Sequence, residues 1–516
     1  MATQKITIIK SNEAYNNSFE FDIPEEAGTY NLSFTRENNA GTINAGNFIV
    51  DETERTYQLK LALSNGQEVV AGTFKTQVAN KPTVLTLNNT TGAEEVVSTV
   101  IRPLPSTTPI VVKLNGTEVG QHTYDASKEN DYGYPLTGAV FSFTLPAGES
   151  TLSFEGAPFE FTNGQNSVLY ASVDESTVSK AAYITNVEFG SNYGEKIGGI
   201  AFKGSSITSL VLPKQVLSVA GFESCLNLTS VFIPKSVQEI GNNAFNGCSN
   251  LTTFTIEAGS ELRTTGNGSF GNTPIYNNAF TENGQIYLGS QNNPYFICLS
   301  ATNGTVPNVS SQCEVLGANC YLSATFPEIT IPASVRSISM QAFMQAETTS
   351  YVFEQNSQLK YIDGSCAFGL IVATGITPDK NIVFPPSLEF ISKAAFSLTP
   401  FKDIDFGNGN LKEIRAGAFS TASEPFTTLR FGNKLEKAEG IIEYRNAAQT
   451  ATMYFNYSAS DPVLFDPTKL LTKGASKGTM TYNIYTDSPT IKDGVLTSVD
   501  EYTLVNVYHY DGSAWA

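Results

Sequence analysis

The stretch Cys225-Leu-Asn-Leu-Thr-Ser-Val-Phe-Ile-Pro-Lys-Ser-Val-Gln-Glu-Ile-Gly-Asn-Asn-Ala-Phe-Asn-Gly-Cys248 carries two patterns that decide the fold. The first is apolar-x-x-apolar-x-apolar followed by proline, at Leu228, Val231, Ile233 and Pro234. Its last step is strand periodicity: two side chains enter a core and the one between them points out. Proline after the strand ends backbone pairing there. The second pattern is an isoleucine five residues before a phenylalanine that follows alanine, Ile240 and Phe245.

Both patterns return. The Ile-to-Phe spacing recurs at Ile197/Phe202, Ile338/Phe343, Ile391/Phe396 and Ile414/Phe419, with looser copies at Val219/Phe222 and Ile362/Phe368. The strand pattern recurs at Ile207/Leu210/Leu212, Phe326/Ile329/Ile331 and Phe401/Ile404/Phe406. Self-similarity at a period of roughly 20–29 residues is the mark of a solenoid. One unit cannot cover its own apolar face, so the units must stack. The strand supplies one buried layer, and the Ile and Phe supply a second on the convex side.

These residues resemble the BspA-type leucine-rich repeats, abundant in surface proteins of Bacteroides and related bacteria. The resemblance spans 184–440 and implies a curved solenoid that binds rather than catalyses, with the ligand left open. The segment from Ala279-Phe280 to Tyr295 resembles an extended variant of the same repeat.

The flanks differ. Residues 1–79 and 80–176 alternate apolar and polar residues between turn signals such as Ser64-Asn-Gly. Short strands at this spacing predict two β-sandwich domains, immunoglobulin-like in pattern only, because the Cys…Trp…Cys hallmark is absent. Ile23-Pro-Glu-Glu-Ala-Gly-Thr-Tyr-Asn-Leu-Ser-Phe34 parallels Leu145-Pro-Ala-Gly-Glu-Ser-Thr-Leu-Ser-Phe154, so the two segments read as related. A boundary falls at 177–183, with the first repeat strand at Ile184. After 440 the Ile-to-Phe spacing fades, and 441–516 reads as a C-terminal β cap over the open end of the solenoid. The expected architecture is mainly β: two sandwiches (1–79 and 80–176), a solenoid (184–440) and a cap (441–516).

Composition fits this reading. The chain has 516 residues, 41% of them hydrophobic, with 33 Phe and 23 Tyr, which is enough to build several cores. A net charge of −18 disfavours nucleic acid and anionic membranes as partners. No apolar run is long enough to span a bilayer, so no membrane insertion is expected.

Little in the chain points to chemistry. His122 and His509 are the two histidines, and they fall in different segments. Gly266-Asn-Gly-Ser-Phe-Gly271 has dinucleotide-loop spacing but lies inside a repeat, without strand–turn–helix context. The run from Asp125 to Gly133 lacks the glycine and glutamate of a calcium loop. The six cysteines show no zinc spacing and read as buried thiols. No catalytic residue, metal or cofactor is expected.

What remains is surface. The outward strand positions are Thr208, Ser209 and Val211; Thr229, Ser230 and Phe232; Thr252, Thr253 and Thr255; Lys402, Asp403 and Asp405; Thr427, Thr428 and Arg430. A hydroxyl-rich ladder with occasional aromatics on the concave face suits a host-surface protein or glycan. Met1 to Lys10 enters a strand directly and lacks the apolar core of a signal peptide. The expectation drawn from this is a virion-surface protein, joined to other virion proteins through its N-terminal β domains. The alternative is a bacterial cell-surface adhesin.

Overall fold

A computed structural model describes residues 81–510 except 129–137, 162–166, 174–175, 302–306, 349, 365–366, 369–380, 398, 400, 420–427, 443–448, 472–479 and 498–502, and before residue 81 the backbone of six strands. Those six form three antiparallel hairpins: Thr3–Ile9 with Asn16–Asp22, Gly28–Thr35 with Thr42–Val50, and Thr56–Ala62 with Glu68–Lys75. The rest of the sandwich expected over 1–79 lies outside the described residues.

From residue 83 the alternation builds two antiparallel sheets. One contains Thr83–Asn89, Ile110–Leu114, Thr117–His122 and Gly148–Gly156; the other contains Glu95–Pro103, Ala139–Leu145 and Leu169–Val173. Every second residue of Ala139–Leu145 is buried. Leu85, Leu152 and Phe154 of the first sheet meet Val97, Ile101 and Phe143 of the second in one core, which makes this a sandwich.

The sandwich does not end where the sequence reading put its boundary. Ile184–Glu188, read above as the first repeat strand, pairs antiparallel with Thr83–Asn89. Its Ile184 carbonyl also accepts from Ser206 N of the next turn at 2.9 Å. The strand therefore closes a sandwich sheet and starts the solenoid. Packing continues across the junction, with Phe161 lying 5.5 Å from Tyr193 and 5.2 Å from Phe202.

The solenoid makes about eleven turns, with one rung each at Ser209–Val211, Ser230–Ile233, Thr253–Ile256, Glu328–Ile331, Ser350–Phe353, Asn381–Val383, Asp403–Asp405, Thr428–Phe431, Gln449–Phe455, Met480–Tyr485 and Thr503–Tyr508. Paired neighbours are parallel and in register. A second ladder of short strands runs along the other side, from Ser218–Val219 to Lys437–Ala438. The ladder does not decay into a separate cap after 440. The Ile-to-Phe unit disappears, but alternation in Ala451-Thr-Met-Tyr-Phe and Tyr482-Asn-Ile keeps the rungs going, and a helix, Pro489–Thr497, buries Ile491 and Val495 in its place.

The phenylalanines stack ring on ring between the ladders. Phe202, Phe222, Phe245 and Phe270 succeed one another at 5.2, 5.9 and 6.2 Å. Tyr321, Phe343, Phe368, Phe396 and Phe419 follow at 5.3, 5.3, 5.7 and 5.2 Å, with planes within 20°. Two residues before most of these rings the backbone turns left-handed, at Asn243, Gly268, Asn319, Gln341, Ala394 and Gly417.

One interruption divides the solenoid. The segment expected as an extended repeat forms an antiparallel hairpin, Gln285–Ser290 against Asn293–Ala301, edged by Phe280–Glu282. It is apolar on both faces because it is a wall between two cores. Leu288, Phe296, Ile297 and Val315 pack on the core shared with the sandwich, whereas Tyr287, Cys298 and Leu316 pack on the C-terminal core.

The last short strand before the wall, Thr264–Thr265, pairs with Glu239–Ile240 on one edge and is held by side chains on the other. Ser339 Oγ accepts from Thr265 N at 3.2 Å, and Ser337 Oγ donates to the Arg263 carbonyl. Both serines are fully buried. Asn267 Nδ2 to Gln341 Oε1 at 2.9 Å and Arg336 Nη2 to the Ser260 carbonyl at 2.8 Å complete this polar splice. It satisfies backbone groups that an open sheet edge would leave bare.

Candidate recognition face

The outward residues picked from sequence form two groups on different sheets. In the first, Ser209, Ser230 and Thr253 align across the rungs, and so do Val211, Phe232 and Thr255. Thr208, Thr229 and Thr252 form a third column, in which Thr229 Oγ1 donates to the Thr208 carbonyl at 3.0 Å. Val211 is 72% exposed and Phe232 41%. The hairpin wall follows this group, so it does not join the second.

The second group sits on the six-stranded C-terminal sheet. Asp403 aligns with Thr428, and Asp405 with Arg430. Lys402 leads into this rung, and its carbonyl accepts from Thr428 N at 3.0 Å. Asp405 Oδ1 caps its own turn by accepting from Gly407 N at 2.7 Å, while Asp403 Oδ1 is buried without a hydrogen-bond partner among the described residues. Thr428 is buried rather than exposed, and Thr427 lies outside the described residues.

The same rows run on into rungs that the sequence reading assigned to a cap. Beyond Arg430 come Tyr454, Tyr485 and Tyr508; beyond Thr428 come Thr452, Asn483 and Asn506. The three tyrosine rings stack at 4.6 and 4.8 Å with planes about 20° apart. Arg430 extends the row at 5.6 Å over Tyr454, and Asn506 Nδ2 donates to Asn483 Oδ1 at 3.0 Å. Burial, with help from its two tyrosine neighbours, holds the Tyr485 phenol above its ordinary value. It is therefore a neutral hydroxyl, both donor and acceptor, at physiological pH. The signal was present in sequence as Thr452-Met-Tyr454, Asn483-Ile-Tyr485 and Asn506-Val-Tyr508, three strands with the same polar-x-Tyr step.

The opposite ladder has a different character. Its charges pair with one another: Arg336 with Glu314 at 3.0 Å, Lys360 with Glu389 at 3.1 Å, Lys412 with Glu389 at 3.5 Å and Arg415 with Glu413 at 3.1 Å. Such pairs neutralise the face they lie on and offer little stability.

The remaining motifs resolve into structure. Phe270 of Gly266–Gly271 joins the phenylalanine stack. Asp125 Oδ1 accepts from Ser127 N and Ser127 Oγ at 3.0 and 2.7 Å, a local turn, and the run beyond 128 lies outside the described residues. Cys225, Cys248, Cys298, Cys313 and Cys320 are buried free thiols, and Cys366 lies outside the described residues. His122 ends a sandwich strand, where burial lowers its pKa, and His509 contacts Asp487 near the other end of the chain. Among the described residues no cluster of His, Cys, Asp and Glu is arranged to hold a metal, and no helix is long and apolar enough to cross a membrane.

The stacked turns, the paired ladders and the buried Ile/Phe layer define a leucine-rich-repeat solenoid. The family model of the BspA type leucine rich repeat region matches it in six copies, over 171–291, 291–424 and 364–442. These stretches cover more than half of the chain, and the chain belongs to that family. It is similar to a leucine-rich repeat protein from Bacteroides ovatus, at 18% identity over 66% of this chain and 76% of that one, with a TM-score of 0.24. It is also similar to a leucine-rich cell surface protein from Faecalibacterium prausnitzii, at 14% identity over 70% and 90%, TM-score 0.16. The pneumococcal vaccine antigen PcpA is similar at 13% identity over 69% and 95%, TM-score 0.19. No curated protein matches the chain.

Proposed function

We propose that this is a non-enzymatic recognition protein of the adhesin type, displayed at a bacterial cell surface and binding host protein or glycan through the outward face of its C-terminal sheet. The observation that carries this reading is the Arg430–Tyr454–Tyr485–Tyr508 row. Tyrosine offers a large contact area with few rotatable bonds, and here each ring is already fixed by the next, so little order remains to be imposed on binding. The parallel row of Thr452, Asn483 and Asn506 adds hydrogen-bonding groups beside it. Family membership supports binding rather than catalysis. The N-terminal strands in this reading hold the chain to its carrier.

The placement on a virion rests on the first residues of the chain, the acidic solenoid and the likeness of the two N-terminal β segments, and no feature of the described fold favours it over a cell surface. The test is binding of the full chain to immobilised host-surface proteins and mucin glycans, compared with the variant Tyr485→Ala/Tyr508→Ala. The double variant should fold normally and lose most of the binding. Unchanged binding by the variant would overturn the assignment of the face.

A further inference from the structure

We infer that the hairpin wall builds a second recognition site, a groove for an uncharged oligosaccharide; this rests on the reading of the chain as a recognition protein. The hairpin strand Gln285–Ser290 packs beside the rung Thr253–Ile256, and three clefts line up along it. The first, of about 240 Å³, lies between Thr252, Phe254 and Phe280. The second, of about 400 Å³, lies between Thr255 and the hairpin tip at Ser290–Asn293. The third, of about 490 Å³, shares Asn292, Asn293 and Glu314 with the second and extends to Gln312 and Gln358. Asn293 Nδ2 donates to the Gln312 carbonyl at 3.0 Å and fixes the tip that joins them.

The lining chemistry selects the ligand. In a chain of net charge −18, none of the three clefts is lined by a lysine, arginine, histidine or aspartate. The two carboxylates present are engaged, Glu257 by Lys235 N at 2.8 Å and Glu314 by Arg336 Nε at 3.0 Å. A phosphate, sulfate or carboxylate on the ligand would find no counter-charge. Gln291, Asn292, Gln312 and Gln358 line the groove, and their side-chain amides hydrogen-bond to no described residue. Amides and hydroxyls both donate and accept, as sugar hydroxyls do. At one end Phe280, 42% exposed, is held edge-on by Tyr295 at 4.8 Å. A ring fixed in this way is a platform for the C–H face of a sugar.

The test is an array of uncharged oligosaccharides, followed by calorimetry of the full chain with the hexasaccharide that binds best. The variants are Phe280→Ala, Asn292→Ala/Gln312→Ala and, as a control on the other face, Tyr485→Ala. All four residues lie at the surface, so the fold should persist. An uncharged hexasaccharide should bind, and each groove variant should weaken it about tenfold or more, the scale of losing one central contact. Tyr485→Ala should leave this affinity unchanged. The inference is overturned if no uncharged hexasaccharide binds, if sulfated or carboxylated glycans or peptides bind the groove better, or if the groove variants bind as well as the parent. If glycan binding is lost only with Tyr485→Ala, the groove is wrong while the tyrosine face stands. If host binding survives Tyr485→Ala/Tyr508→Ala and glycan binding is lost in the groove variants, the groove stands and the face is wrong.

Discussion

Replacing Phe343 with alanine is the sharpest probe of the solenoid. Phe343 is fully buried. Its ring lies 5.3 Å from Tyr321 and 5.3 Å from Phe368 in the stack, and 5.1 Å edge-on from Tyr351 of the facing rung. Truncating a buried phenylalanine costs about 3–5 kcal/mol through lost burial and the cavity left behind. Each aromatic pair adds roughly 0.5–1.5 kcal/mol beyond burial, so three neighbours place this site near the upper end, at about 5 kcal/mol. Phe245, whose stack neighbours stand further off at 5.9 and 6.2 Å, should lose less. Turns of a solenoid depend on their neighbours, so the loss should concentrate around the rungs that Phe343 joins. A urea melt followed by far-UV circular dichroism gives the magnitude, and hydrogen exchange gives the location. Phe343→Leu, which refills much of the space, should cost clearly less. A loss below about 1 kcal/mol for Phe343→Ala would refute the claim that the ring stack holds the turns together.

Other outcomes follow from local geometry. Ser337→Ala with Ser339→Ala strips the partners from the Arg263 carbonyl and Thr265 N–H, at about 1–3 kcal/mol for each buried group left unpaired; the melt should separate into two transitions, and a single unshifted one would contradict the splice. Ala394 sits in the left-handed region at φ 56°, so Ala394→Gly should stabilise by roughly 0.5–1 kcal/mol in the same melt rather than destabilise. Glu95 accepts from Lys180 Nζ at 2.9 Å and Tyr183 Oη at 2.8 Å, which holds its pKa below the ordinary 4.5. Its contribution is therefore complete above pH 4.5 and lost as pH falls through the lowered value. Glu95→Gln should weaken the protein at neutral pH and flatten the decline below pH 4.5 in urea midpoints measured against pH; an unchanged acid limb would count against the pairing.

The rungs and the ring stack were legible because both rest on spacing. Phe270 and Tyr321 escaped because Ser269 and Cys320 stand where most other copies have alanine, and Thr265 and Leu316 where they have isoleucine, although the turn two residues before the ring is the same. The hairpin form of the extended repeat was not legible, because a strand buried on both faces shows no alternation. The C-terminal rungs were missed for the opposite reason. Their strands alternate plainly, but the Ile-to-Phe half of the unit is replaced there by other packing, including the helix Pro489–Thr497, so the spacing that marks a turn is lost. Of the recognition face, the residues before 431 could be named from pattern, whereas the tyrosine row required the register between rungs.

The two-faced hairpin has a consequence for how the chain is made. A ribosome releases the sandwich first, then the early turns, then the wall. The first core can close once Val315 has emerged, because its last packing partners come from the hairpin and that strand. At that moment Tyr287 and Cys298 face solvent, since the residues that cover them have yet to be synthesised. The bare side is then a template on which the later rungs are laid in order, each covering the one before. It is also the sticky surface of a half-made protein. Slowing translation just after the codons for 316 should lengthen that exposure and raise aggregation, whereas a pause after 440 should do so far less.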